Sequence, residues 1–182
     1  MPRWLNLANL FTLLRLALVP FIISDIIHGL HIGALTLFFI AAVTDVIDGA
    51  LARSASGVTQ TGAYLDPIAD KCLMSGVFLA LWAAAILPGW FVGIVFGRDL
   101  MILAGVLAVM ALTRARKFPP SRWGKLSTFA QIVTAISWMV QNAWPNDVFQ
   151  GIARATLWVS AAFTIASGVD YMRRGVDLFR AR

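Results

Sequence analysis

The chain has 182 residues, of which 59% are hydrophobic and 13% are charged, and its formal net charge is +6. The mean hydropathy is +0.78, and a soluble domain of this length could not bury so much apolar surface. The composition therefore excludes an ordinary soluble fold and predicts an integral membrane protein. The single cysteine, Cys72, excludes an intramolecular disulfide.

Six apolar segments follow one another along the chain, and a helix needs about 20 residues to cross a bilayer. In chain order they cover residues 7–27, 31–53, 62–87, 90–113, 126–143 and 149–171. The expected fold is therefore all-α: one bundle of six transmembrane helices after a short interfacial segment at the N-terminus. The bundle accounts for residues 1–182 as a single membrane domain.

Basic residues concentrate in the connections that share one membrane face if the six segments alternate in direction. They are Arg3, Arg53, Arg114, Arg116, Lys117, Arg122, Lys125, Arg173, Arg174, Arg180 and Arg182. The opposite connections, at 28–31, 87–89 and 141–147, contain no Lys or Arg, and Arg154, just inside the last span on that side, is the one exception. The positive-inside rule then places both termini in the cytoplasm, with the plasma or inner membrane as the expected location. This face is expected to meet anionic headgroups or a phosphorylated substrate, and nucleic acid is not an expected partner.

Four aspartates lie at or near the facing ends of the second and third segments. The run reads Asp45-x-x-Asp48-Gly49-x-x-Ala52-Arg53, then eight residues, then Gly62-x-x-x-Asp66-x-x-x-Asp70. Spacings of three and four residues put each pair of acids on one helix face. Clustered anions at membrane depth need cations, and carboxylate oxygens suit Mg²⁺, Mn²⁺ or Ca²⁺ better than zinc. Asp48 lies roughly 7.5 Å of helix rise from Arg53, so the site is expected near the cytoplasmic face.

This run fits D-x2-D-G-x2-A-R-x8-G-x3-D-x3-D at every fixed position. It resembles the signature of the CDP-alcohol phosphotransferase family, integral membrane enzymes of phospholipid synthesis, and the resemblance covers nearly the whole chain. The opening Asn9-x-x-Thr12-x-x-Arg15 is similar to that of family members that use glycerophosphate. The resemblance implies transfer of a phosphatidyl group from CDP-diacylglycerol to an alcohol with release of CMP, by a homodimer with one site in each protomer.

The residue types of this run suit that reaction, since two divalent ions would neutralise the diphosphate of the donor. Mg²⁺ or Mn²⁺ ions are expected on Asp45, Asp48, Asp66 and Asp70. By resemblance, Asp70 is also the general base that takes the proton of the acceptor hydroxyl. Gly49, Ala52 and Gly62 lack bulk, so a nucleotide could approach the backbone closely, and Arg53 offers a fork-shaped cation for a phosphate. The resemblance further implies that the CMP part of the donor is held by Thr44, Asp48, Gly49 and Arg53.

A second set of basic residues is expected to bind the phosphate of the acceptor: Arg98, Arg114, Arg116 and Lys125. The stretch Gly124-Lys125-x-x-Thr128-x-x-Gln131 resembles one of the phosphatidylglycerophosphate synthases, which favours sn-glycerol 3-phosphate as acceptor. Arg98-Asp99, where those enzymes usually have Arg-Glu, is instead similar to the cardiolipin synthases, which use phosphatidylglycerol. Both acceptors carry a phosphate, so a basic pocket leaves both open.

Two other classes of membrane protein also place acids at membrane depth. A divalent-cation transporter needs ligands near the midplane, whereas these acids lie toward one face and are accompanied by Arg53. Metal uptake into vesicles without release of CMP would favour that class. An intramembrane prenyltransferase would carry its two aspartate clusters on well-separated segments rather than on one helix-loop-helix.

Overall fold

A computed structural model describes residues 7–54, 60–112 and 121–180 of the chain. Within these ranges all the regular structure is helical, which confirms the all-α prediction. The six helices are α1 (Leu7–Ile27), α2 (His31–Ser54), α3 (Gln60–Ala83), α4 (Gly89–Leu112), α5 (Arg122–Ala143) and α6 (Asp147–Arg180).

Three stretches of the described chain are long and apolar enough to cross a membrane: Leu10–Ile27, Gly89–Ala108 and Asp147–Gly175. A shorter apolar stretch, His31–Thr44, forms the first part of α2. Large apolar side chains such as Phe39 are exposed on these helices, as expected of surfaces that face lipid. The expectation of a membrane protein agrees with these features.

The chain divides into two compact units, which are described separately. The first consists of Met1–Ile86 with Asn142–Trp144, and the second of Leu87–Gln141 with Pro145–Arg182. In the first unit, α2 and α3 each pack against α1. In the second unit, α4 packs against α6.

Helices α1 and α3 run parallel and approach closely at Gly76. A Cβ atom at this position would lie 2.9 Å from Cδ1 of Ile23 and 3.2 Å from Cγ1 of Val19. Both distances are shorter than ordinary van der Waals contact, so glycine permits an approach that a larger residue would prevent. Six residues before this contact, α3 carries Asp70, and the register of the two helices is therefore fixed near that aspartate.

Helices α1 and α3 end in the same type of turn, built on a residue with left-handed backbone. This residue is Gly29 after α1, with φ of 73°, and Ala85 after α3, with φ of 56°. In each turn the next N–H donates to the carbonyl five residues earlier, at 2.8 Å after α1 and 2.9 Å after α3, as in a Schellman motif. The third segment was expected to run to residue 87, whereas α3 ends at Ala83. The helix ends there because Ala85 adopts the left-handed conformation that glycine adopts more easily.

Side-chain caps set where α5 and α6 begin. Ser121 Oγ accepts a 2.9 Å hydrogen bond from the Gly124 N–H, and Asn146 Oδ1 accepts one of 2.8 Å from the Phe149 N–H. Both are N-cap interactions, and they start the helices before the apolar segments that the sequence analysis delimited. Helix α6 also runs past residue 171 to Arg180.

A buried polar seam connects α5 to α6. Gln131 is 5% exposed, and its Nε2 donates to Ser127 Oγ at 3.3 Å and to Thr164 Oγ1 at 3.1 Å. Thr134 Oγ1 donates to the Thr156 carbonyl at 3.0 Å. Small hydroxyl-bearing residues of this kind let membrane helices pack closely and hydrogen-bond across the interface.

Candidate functional site

The backbone of the expected aspartate cluster is helical as the spacing predicts. Asp45 and Asp48 belong to α2, and Asp66 and Asp70 belong to α3. The described residues do not include the side chains of Asp45, Asp48, Ala52, Arg53 and Asp66. For Arg114 and Arg116, both backbone and side chain lie outside the described residues. Gly49 and Gly62 are placed by their helical backbone alone.

The metal-binding geometry therefore stays a prediction. Within the side chains that the structure describes, no group of three or more His, Cys, Asp or Glu is placed to hold a metal ion. The one described carboxylate of the cluster, Asp70, is 52% exposed. An accessible carboxylate at this point of α3 fits a hard divalent cation.

Asp70 is joined to α1 by an ion pair. Arg15 Nη1 donates to Asp70 Oδ1 at 2.5 Å, and the arginine side chain is only 1% exposed. The sequence analysis placed Arg15 in the opening motif without giving it a role in the site. The structure brings it to the expected catalytic carboxylate across 55 residues of chain.

Thr44, expected to contact CMP, is buried in α2 with 9% of its surface exposed. Its hydroxyl donates a 2.8 Å hydrogen bond to the Ala41 carbonyl one turn earlier. Since the hydrogen is directed into its own helix, Thr44 offers a bound nucleotide an acceptor rather than a donor.

The second unit contains an open cavity of about 480 Å³ between α4, α5 and α6. It is lined by Arg98, Gly124, Lys125, Thr128, Phe129, Ile132 and Tyr171. Two of the four residues predicted to bind the acceptor phosphate, Arg98 and Lys125, thus share one cavity. Lys125 is exposed, and its ammonium is accessible to a soluble anion.

Three side chains fix the guanidinium of Arg98, which is 13% exposed. Its Nη1 donates to Asp99 Oδ1 at 2.9 Å, and its Nη2 and Nε donate to Ser167 Oγ at 2.6 and 3.2 Å. The Tyr171 ring centroid lies 5.7 Å from its Cζ, within range of a cation–π contact. Because Asp99 offsets the charge of Arg98, Lys125 contributes much of the net positive charge of this cavity.

The Gly124–Gln131 stretch serves two purposes in the structure. A Cβ on Gly124 would lie 3.3 Å from Arg98 Nη2 and 3.4 Å from the Tyr171 ring, so glycine lets the α5 backbone approach the guanidinium. Lys125 and Thr128 line the same cavity. Gln131, by contrast, belongs to the seam with α6 and not to the cavity lining.

Sequence reasoning missed two residues that contact Arg98, both on α6. Ser167 is fully buried and holds Arg98, while the Tyr171 hydroxyl accepts a 3.2 Å hydrogen bond from the Ser121 N–H. Their signal in the sequence is weak, because a serine and a tyrosine near the end of an apolar segment are common. Only the requirement that Arg98 find partners at membrane depth pointed to such residues.

Comparisons with known proteins match most of the chain. Residues 5–166 match the family model described as CDP-alcohol phosphatidyltransferase. The "Probable phosphatidylglycerophosphate synthase" of Mycobacterium tuberculosis (strain ATCC 25618 / H37Rv) is 34% identical over 180 residues, covering 96% of this chain and 83% of that protein. The "CDP-diacylglycerol--glycerol-3-phosphate 3-phosphatidyltransferase" of Bacillus subtilis (strain 168) is 32% identical over 190 residues, covering 96% and 97%.

A more distant relative bears the name of the alternative activity. The "Probable cardiolipin synthase (CMP-forming)" of Drosophila melanogaster is 28% identical over 170 residues, covering 92% of this chain and 50% of that protein. The family model spans most of the chain, and two of these relatives are more than 30% identical over nearly its whole length. The chain therefore belongs to the CDP-alcohol phosphatidyltransferase family.

Proposed function

We propose that this protein transfers the phosphatidyl group of CDP-diacylglycerol to sn-glycerol 3-phosphate, giving phosphatidylglycerophosphate and CMP. Family membership and the names of the M. tuberculosis and B. subtilis relatives support the reaction. The observation that carries the choice of acceptor is the similarity to these two relatives, and the cavity that contains Arg98 and Lys125 offers a phosphorylated acceptor a place to bind. A fixed guanidinium beside an accessible ammonium suits a small phosphorylated alcohol.

The chemistry is a displacement at the phosphorus atom that bears the diacylglycerol. The acceptor hydroxyl oxygen forms a bond to this phosphorus, and the bond from phosphorus to the bridging diphosphate oxygen breaks. CMP leaves with that oxygen, and the hydroxyl proton passes to the carboxylate of Asp70. The half-exposed position of Asp70 supports this role, since the carboxylate is accessible from outside its own helix.

Members of this family are generally dependent on divalent metal, and we assign the ligands to Asp45, Asp48, Asp66 and Asp70. Two ions, Mg²⁺ or Mn²⁺, would offset the charge of the diphosphate and of the departing CMP. Thr44, Gly49, Ala52, Arg53 and Gly62, together with Asp48, are proposed to hold the CMP part of the donor. The i, i+3 and i, i+4 spacing on α2 and α3 supports this grouping.

The acceptor phosphate is proposed to bind Lys125 and Arg98, with Arg114 and Arg116 from the connection before α5. We further propose that the six helices all cross a plasma or inner membrane, with both termini and the site cytoplasmic, and that the protein is a homodimer in one domain. The absence of Lys and Arg from the residue ranges 28–31, 87–89 and 141–147 supports this orientation.

Replacing Asp45 by asparagine tests the metal-dependent reaction. Asp45→Asn removes one anionic ligand, and CMP release should fall by at least about a hundredfold, because transition-state charge on the diphosphate is no longer offset. The measurement is CMP formed by purified protein from CDP-diacylglycerol and glycerol 3-phosphate across a Mg²⁺ titration. Asp147→Asn, at the start of α6, is the matched control and should retain full activity. Metal-dependent activity retained by Asp45→Asn would overturn the assignment of the site.

A cardiolipin synthase activity is the second candidate, and a specific observation favours it. Arg98 is paired with Asp99 rather than with a glutamate, and a relative bears that name. Supplying purified protein with CDP-diacylglycerol and either glycerol 3-phosphate or phosphatidylglycerol, and identifying the lipid product, separates the two. Product from phosphatidylglycerol alone would establish the second candidate and reject the first.

A further inference from the structure

Arg15 is the largest fully buried side chain within the described residues, and it lies on a helix outside the aspartate motif. A buried guanidinium at membrane depth requires a compensating anion. The anion is Asp70, whose Oδ1 accepts from Arg15 Nη1 at 2.5 Å. This contact joins α1 to the carboxylate that is proposed to take the acceptor proton.

The two partners differ greatly in exposure, 1% for Arg15 against 52% for Asp70. The arginine therefore holds the carboxylate from the protein interior and leaves it accessible to reactants. The contact is made by one guanidinium N–H, on Nη1, and the rigid plane of the guanidinium sets the direction of that N–H. A gain in folding stability does not by itself explain such an ion pair, because apolar side chains of similar volume at both positions commonly give a protein that is equally stable or more stable.

The packing of α1 on α3 prevents the arginine from moving away from this carboxylate. At Gly76 a Cβ would lie 2.9 Å from Ile23 and 3.2 Å from Val19, so the two helices are in close contact about two turns beyond the ion pair. Since both partners stand on helices in fixed register, their relative position is set before any substrate binds.

We propose that Arg15 is a positioning residue, which holds the Asp70 carboxylate in the orientation that accepts the proton of the acceptor hydroxyl. The proposal rests on the proposed function of Asp70. Its consequence is that loss of Arg15 lowers the turnover of bound substrate rather than the affinity for either substrate.

Steady-state kinetics of Arg15→Met and Arg15→Lys test the proposal. Misplacement of a reacting group by about 1 Å costs about a hundredfold in rate, so kcat of Arg15→Met should fall by about that factor, with KM for both substrates within about twofold. Arg15→Lys should give an intermediate kcat, at least about fivefold below the parent protein, because an ammonium keeps the charge but does not place its donor where Nη1 stands. Assays are run well below each variant's unfolding temperature and normalised to monodisperse protein.

Arg174→Met is the matched control, since Arg174 pairs with Asp170 at 3.0 Å but is 43% exposed and lies on α6. It should leave kcat unchanged. If the Arg15→Met protein does not fold, the kcat of Arg15→Lys, which keeps a cation at this buried position, is by itself the test of the proposal. A kcat of Arg15→Lys within about twofold of the parent, or a rise in KM at unchanged kcat in either variant, would overturn the proposal.

Asp70→Asn separates this proposal from the proposed function. An inactive Asp70→Asn together with fully active Arg15 variants rejects only the positioning role. An active Asp70→Asn rejects the general-base assignment itself. Loss of activity in Asp70→Asn with the graded loss in the two Arg15 variants supports both.

Discussion

At the scale of residues, the buried Arg15 and the partly buried Arg98 are stabilised in different ways. Arg15 is held by the carboxylate of another helix, whereas Arg98 is held by the adjacent Asp99 and by the Ser167 hydroxyl. Ser167 accepts from two guanidinium nitrogens and so fixes the plane of Arg98 within its cavity. The orientation of the guanidinium that is proposed to bind phosphate therefore depends on a neutral residue of α6.

Replacing Ser167 by alanine tests this dependence. Arg98 loses the acceptor of two hydrogen bonds, and KM for glycerol 3-phosphate should rise by at least about tenfold, as expected when hydrogen bonds to a charged group, worth about 1.5–3 kcal/mol, are lost. KM for CDP-diacylglycerol should change by less than twofold. Both constants come from initial rates of CMP release.

Ser160→Ala provides the matched control on the same helix. Ser160 is equally buried, and its Oγ has no hydrogen-bond partner in the described part of the chain. Its removal should leave KM for the acceptor unchanged and should not lower the unfolding temperature. An equal rise of this KM in both variants would show that Ser167 acts only through general packing of α6.

At the scale of helices, the lengths of the apolar segments predicted that six helices exist, but capping hydrogen bonds at the helix ends determine the residues at which they begin and end. The first segment was predicted correctly as residues 7–27, since Gly29 signals its end. The end of α3 was not, because Ala85 takes a left-handed conformation that costs an L-residue about 1–2 kcal/mol. Tertiary context overrides a local preference there.

Ala85→Gly should therefore stabilise the protein by about 1 kcal/mol, since glycine adopts positive φ without a steric penalty. The measurement is the thermal unfolding temperature of purified protein in one detergent. Ala83→Gly, at the end of α3, is the control and should destabilise by about 0.5–1 kcal/mol, because glycine there only adds chain entropy to the unfolded state. An unfolding temperature lowered equally by both substitutions would contradict the turn described at Ala85.

The same distinction applies to the candidate site. Arg98 was singled out because a charge at membrane depth carries a desolvation cost that needs a reason, and the same argument makes the aspartate site a prediction. Lys125 was singled out by the resemblance of the Gly124–Gln131 stretch. The particular long-range contacts were not fixed by the sequence, since those of Arg15 with Asp70 and of Arg98 with Ser167 span 55 and 69 residues. Contacts of this kind depend on helix register, which an apolar pattern alone leaves open.

At the scale of the whole molecule, the distribution of charge is the strongest guide to orientation. Of 15 Lys and Arg residues, none falls within residue ranges 28–31, 87–89 or 141–147. The turn after α1 is instead formed by exposed His28, Gly29 and Leu30. A chain that crosses the membrane six times with cytoplasmic termini places these three connections outside.

Cysteine labelling in intact bacterial cells tests this orientation. In a Cys72→Ala background, which removes the single native cysteine, Leu30→Cys should react with a membrane-impermeant maleimide, because Leu30 is 59% exposed and lies in the first outer turn. A cysteine added after Arg182 should react only once the cells are permeabilised, since positive charge retains this end in the cytoplasm. Activity of each variant confirms that the fold is intact. Labelling of the added cysteine in intact cells would place the C-terminus outside and, with it, would contradict a cytoplasmic site.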